Sequence, residues 1–341
     1  MAVYFLNMKT FGRANGSSAA SAVAYRAGER IRDERTGRTY DHSDRQDVMH
    51  KEIVLPSKFS DHEMAWARDR ASLWNAAENA ETRKNARVAR EYLVALPVEL
   101  SPQQRSILVR GFSQELSDRY GFAVDFAIHA PRDFPGSDPR NYHAHVLATT
   151  REVTIDGLGA KTTLDMRDGD RRKLGLEPVI NELLHVRARW ATLTNEALQQ
   201  AHIAARIDHR TLEAQGIDRE PQPSIPRAAF EMERHGYRSL VADRMRDEYQ
   251  ARVQARLAKA ADREVASAAE VPVTEVPARE VPVTEPPAAV SPPLNGHVAK
   301  PQSLEEIRRE ARENWLRLRQ AQVRSTPDVE LDRHHDDDLA R

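Results

Sequence analysis

Residues 122–153 read FAVDFAIHAPRDFPGSDPRNYHAHVLATTREV, and a pair of strands follows from them. Phe122–His129 is an unbroken apolar run apart from Asp125 and its closing histidine, the pattern of a buried strand. His143–Val153 is a second such run. The proline-rich loop 130–142 joins them as the turn of an antiparallel hairpin. Side chains two apart on a strand share a face, so His143 and His145 stand side by side. In the hairpin register His129 falls opposite that pair. Three imidazoles from adjacent strands make a facial three-nitrogen metal site with open positions. Read alone, His-x-His also describes surface histidines at a hairpin end.

Outward from the hairpin the chain alternates strand and helix. Residues 2–6 and 49–55 read as strands, and 88–97 (VAREYLVALP) as a buried one. Ser101-Pro102-Gln103 starts a helix to about Tyr120, with serine at the cap and proline in the first turn. One helix is expected over 60–80 and another over 176–202, while SSAASAVAYRAGER (17–30) is helical through its alanines and arginines. Residues 35–47 are polar and turn-rich. The order predicts an α+β sandwich, one sheet with helices over one face.

Two further residues carry chemical potential. Tyr25 lies in the small-residue helix beside Arg26 and Arg30; a tyrosine packed on a sheet is the plain alternative, and Tyr4 and Tyr40 compete for any role. Glu91 precedes the strand Tyr92–Leu96 and stands at a sheet edge near a site, or is a solvated strand-end carboxylate. Gly157-Leu-Gly-Ala-Lys161 resembles a phosphate loop but lacks the required spacing. His334-His335 belongs to an acidic charge run.

The 341 residues are 40% hydrophobic and 30% charged, with no cysteine, which excludes disulfides, thiolate zinc sites and cysteine nucleophiles. No apolar run reaches the roughly 20 residues of a membrane span, and the N-terminus lacks signal-peptide character. A cytoplasmic protein with no membrane insertion is expected. The net charge of −1 hides an asymmetry: residues 261–341 carry a net −5, and the body before them +4. That mild basic excess permits DNA binding without demonstrating it. The expected organisation is a main domain over 1–222, a helical extension over 223–261, and a proline-rich linker over 262–302 containing EVPVTEVPAREVPVTEPP. A charged helix at 303–324, with a Ser303–Glu306 capping box, and a disordered acidic tail at 325–341 follow.

Five blocks in order, MAVYFLNMKT, SSAASAVAYRAGER, AREYLVALPVELS, AIH…NYHAHVLATTREV and RIDHRTLEAQGIDREP, resemble the MobA/MobL relaxases, also called Q-type, and the N-terminal relaxase domain of TraA-type proteins. The likeness covers about residues 1–222. It implies an HUH-endonuclease fold, a five-stranded antiparallel sheet flanked by helices. It implies a nucleophilic tyrosine at Tyr25, a metal triad of His129, His143 and His145 holding Mg2+ or Mn2+, and a catalytic acidic residue at Glu91. The implied function is plasmid mobilisation, nicking one DNA strand at an origin of transfer through a 5′-phosphotyrosine and rejoining it. Its partners would be single-stranded origin DNA, accessory origin-binding proteins and a type IV secretion coupling protein. Arg26, the metal or Glu91 would assist Tyr25. His209, in the last block, has no assigned role. The family commonly has proline before the second histidine where this chain has Tyr142, and its loop to that histidine is shorter. No helicase or primase segment is expected after the linker. A rolling-circle initiator shares this chemistry but usually carries its tyrosine after the histidine pair, and a non-catalytic DNA-binding adaptor needs no metal.

Overall fold

A computed structural model of the chain describes residues 2–16, 18–132 and 138–269. The elements are β1 (Leu6–Gly12), α1 (Ala19–Ala27), β2 (Arg30–Arg32), β3 (Thr39–Asp41), β4 (Val48–Val54), α2 (Ala65–Arg68), α3 (Arg70–Asn79) and β5 (Arg87–Ala95). They continue with α4 (Pro102–Tyr120), β6 (Phe122–His129), β7 (His143–Thr154), β8 (Gly157–Lys161), α5 (Asp168–Lys173), α6 (Val179–Gln200), α7 (Arg227–Arg234) and α8 (Leu240–Ala269). Five strands form an antiparallel sheet in the order β1-β5-β7-β6-β4, with β8 added alongside the far end of β7. The expected hairpin is present, and His129 pairs directly with His143.

The sheet is covered on both faces, which corrects the expectation of helices on one. Alternation along the strands explains why. Val124, Phe126, Ile128, Ala144 and Val146 join a core with Phe112 of α4 and Trp190 of α6. Ala123 and Leu147, on the opposite face, join a second core with Val23 of α1 and Leu73 and Trp74 of α3. Strands buried on both faces read as continuous apolar runs, which conceals how many layers cover them.

Local chemistry sets the boundaries. Ser101 and Gln104 form a reciprocal capping box at the start of α4, as the sequence suggests. The helix expected over 60–80 is two helices, because Asp69 takes extended dihedrals and caps α3 by accepting from the Ser72 N–H at 2.8 Å. The first strand begins at Leu6, not at residue 2. Alanines at 19, 20, 22, 24 and 27 leave α1 with little side-chain bulk and are all buried. The helix ends at Gly28, whose φ of +59° is cheap only for glycine.

By packing, one compact unit ends at Thr211 and a second begins at Leu212. In the second, α7 and α8 are joined by a bidentate Arg246–Glu233 pair at 2.6–2.7 Å. Helix α8 continues past residue 262, where the sequence suggests the linker begins, because the first proline comes only at 272. The rest of the linker, the 303–324 helix and the 325–341 tail lie outside the described residues. Among the described residues, no helix is long and apolar enough to cross a membrane.

Candidate active site

His143 and His145 of β7 and His129 of β6 project from the sheet face that α1 covers. One nitrogen from each lies within 4.8 Å of the other two, and all three residues are buried. Their ring centroids are 4.8–5.3 Å apart. Fixed oxygens select the tautomers. His145 Nδ1 donates to Glu91 Oε1 at 2.8 Å and His143 Nδ1 donates to the Asn141 carbonyl at 3.1 Å, which leaves the lone pair of each ring on Nε2. His129 Nε2 donates to the Arg26 carbonyl at 2.7 Å, leaving its lone pair on Nδ1, with Arg45 Nη2 3.4 Å away. Burial holds His129 well below the ordinary histidine range, helped by His145 and His143. Burial likewise pushes His145 down to about 4, against the opposing pull of Glu91. Neutral imidazoles are the form that binds metal, so the burial of His129 and His145 readies them for a divalent cation, with His143 beside them.

Glu91 is neither at an edge nor solvated. It lies in β5, between β1 and β7, and is 0% exposed. Burial alone would raise its carboxyl, but Arg26, then His145 and Lys9, hold it well below the carboxylate range. With His145 neutral, Arg26 and Lys9 are the charges that keep it ionised. Arg26 makes a two-point contact, its Nη2 at 3.2 Å from Oε2 and its Nε close to Oε1, and Lys9 Nζ is 3.0 Å from Oε2. Arg26 is thereby turned to Glu91 and not to the hydroxyl of Tyr25.

Tyr25, half-buried on α1, lies one residue from the carbonyl that binds His129. Its hydroxyl accepts from Arg132 Nη2 at 2.5 Å. The Arg45 guanidinium stacks 4.0 Å over its ring and donates to its backbone carbonyl at 3.1 Å. Asp47 joins the two arginines: Arg45 Nε reaches Oδ1 at 2.8 Å and Arg132 Nε reaches Oδ2 at 3.0 Å. Burial would raise this carboxyl too, but hydrogen bonds and charge from Arg45, then Arg132, keep it well below its usual range. The competing tyrosines are elsewhere. Tyr4 packs against the α4/α6 core, where His209 meets its ring at 6.4 Å, and Tyr40 packs in β3 against the α1/α3 core.

The MobA/MobL family model matches residues 17–235, most of the chain. The chain belongs to the MobA/MobL family. Among curated MobA/MobL relatives, "Mobilization protein MobL" of Acidithiobacillus ferridurans is 35% identical over 279 residues, covering 76% of this chain and 70% of that one. "Probable conjugal transfer protein TraA" of Sinorhizobium fredii is 32% identical over 236 residues, 65% of this chain but only 21% of the relative. A solved structure, "Molecular Basis of Vancomycin Resistance Transfer in Staphylococcus aureus", aligns at 30% identity and a TM-score of 0.49, covering 62% of this chain and 100% of the other.

Within this MobA/MobL chain the sequence singled out five site residues; the fold puts Glu91 and the three histidines on one sheet face and Tyr25 on the helix above it, joined to His129 through Arg45. Arg45, Asp47 and Arg132 were not among the five. Polar side chains in turns look solvated, and only the β4–β6 register, Val48 opposite His129, brings the two loops together. The one available signal was the position of Arg132 three residues after a candidate ligand.

Proposed function

We propose that this chain is a relaxase that nicks one DNA strand at an origin of transfer and rejoins it, with Tyr25 as nucleophile. The observation that carries this reading is a tyrosine hydroxyl, held by an arginine, on the helix that covers three buried and mutually adjacent histidines. The naming of its MobL and TraA relatives for mobilisation and conjugal transfer supports origin DNA as the substrate.

His129, His143 and His145 would hold a divalent ion, Mg2+ or Mn2+, which when bound polarises the scissile phosphate and offsets its charge. Glu91 fixes the His145 ring and is a positioning residue in this reading. A cationic donor on the phenolic oxygen favours loss of its proton, a task that Arg132 fulfils in place of Arg26. Tyr25 Oη attacks phosphorus, its bond to phosphorus forming as the bond from phosphorus to the 3′ oxygen breaks. The phenol's proton leaves, and the departing 3′ oxygen takes one up. The phosphodiester is exchanged and not hydrolysed, so the same 3′-hydroxyl reverses the step and reseals the strand.

The test is covalent capture of an origin-strand oligonucleotide with Mn2+ present. Wild-type protein should form an adduct that peptide mapping assigns to Tyr25. Tyr25→Phe should lose the adduct and keep DNA binding, since only the attacking oxygen is removed. An adduct at wild-type yield in Tyr25→Phe overturns the assignment, and binding without any adduct in the wild type favours an adaptor.

A further inference from the structure

We propose that Arg132 binds the scissile phosphate, with Asp47 and Arg45 as its positioning residues. The inference rests on Tyr25 being the nucleophile and adds the group that receives the substrate's charge.

Distance is the first reason. Arg132 Nη2 stands 2.5 Å from the Tyr25 hydroxyl oxygen. A phosphorus atom poised for attack sits about 3–3.5 Å from that oxygen. Its non-bridging oxygens then fall within hydrogen-bond reach of the same guanidinium, whose planar fork of donors suits phosphate. The histidines project from the sheet face that α1 covers, and Arg132 comes from the loop after His129, so the phosphate would be held from two sides.

Access is the second reason. The Arg132 side chain is 32% exposed, against 8% for Arg45. Arg132 is the arginine a strand arriving from solvent can meet, while Arg45 is occupied with the ring and backbone of Tyr25.

Pre-organisation is the third. Asp47 contacts both guanidinium groups, and its backbone carbonyl accepts from the Ala130 N–H at 2.8 Å. The segment leading into β4 thus grips both the backbone and the arginine of the loop that follows His129. Two arginines against one carboxylate leave a net positive charge at the nucleophile. A fixed donor aimed at the phosphate oxygens costs no reorganisation during the reaction.

The experiment uses the full chain and an origin-strand oligonucleotide carrying a phosphorothioate at the scissile position, as separated Rp and Sp forms. Single-turnover adduct formation is compared for wild type, Arg132→Ala, Arg132→Lys and Asp47→Asn, with circular dichroism to check folding. We expect Arg132→Ala to slow adduct formation about 10²–10³-fold while oligonucleotide affinity changes far less. The penalty that the wild type shows for one diastereomer should vanish in that variant, while the penalty on the other, imposed from the histidine side, stays. Arg132→Lys keeps charge but not the fork, so it should also lose that discrimination, and it carries the test if the alanine variant is unfolded. Asp47→Asn should slow the reaction less, and added guanidinium ion should partly rescue Arg132→Ala. Unchanged diastereomer discrimination in both Arg132 variants overturns the proposal, as does a rate within about twofold of wild type. If the wild type forms no adduct at Tyr25, the reading beneath fails and takes this one with it. If that adduct forms and Arg132→Ala matches it, only the phosphate assignment falls.

Discussion

Glu91 is where four elements meet: it belongs to β5, binds Arg26 of α1 and Lys9 of β1, and orients His145 of β7. Its replacement should therefore act on two quantities at once. Glu91→Gln keeps the shape but leaves two buried cations without their counter-charge, a change that costs about 3–5 kcal/mol when one member of a buried pair is removed. It also replaces the charged acceptor that anchors the His145 ring by a weaker, neutral amide oxygen, which should weaken Mn2+ binding toward the lower end of about 10–100-fold. Denaturant titration and calorimetry measure these separately. Unchanged stability together with unchanged Mn2+ affinity would show that Glu91 is a spectator. The sequence could suggest an acid near the site but not this role. A glutamate ahead of an apolar strand looks the same whether the strand's neighbour lies on one side or both.

At the scale of elements, α1 carries Tyr25, the proposed nucleophile, and the way it stops matters as much as the way it packs. Gly28 has φ +59°, and a Cβ built there would lie 3.2 Å from Val48 Cγ2 and 3.5 Å from Arg45 Cβ. Gly28→Ala should cost about 1–2 kcal/mol from the left-handed backbone alone. The crowding falls on β4 and on the residue that stacks on Tyr25, so adduct formation should slow more than stability predicts. A variant that is destabilised yet reacts at wild-type rate would show that this turn does not set the position of Tyr25. The long strands and helices were legible because their apolar runs exceed any alternative; β5, α4, β6, β7 and α6 lie within a few residues of expectation. Three short strands were not. β2 and β3 have three residues each within a polar stretch, and β8 is the glycine-bearing GLGAK that looks like a loop fragment. Their pairing comes from neighbours that fold beside them, not from their own pattern.

For the whole molecule, the site residues all belong to the unit that ends at Thr211. A chain ended after residue 222 should therefore fold and form the Tyr25 adduct with oligonucleotide at close to the full-length rate, while transfer between cells should fall if the remainder docks a partner. Loss of nicking on truncation would place the later residues within the catalytic unit. The three histidines come from a single hairpin, with His129 directly across from His143. An ion held there would act as a pin through the central strand β7 and its neighbour β6, and unfolding would have to pull it out. At a metal concentration a hundredfold above Kd this linkage adds about 2.7 kcal/mol to stability. The melting temperature of Tyr25→Phe should thus climb with added Mn2+, and that of His145→Ala should not. A protein incapable of cutting DNA would then report, as heat resistance, whether its metal seat is filled.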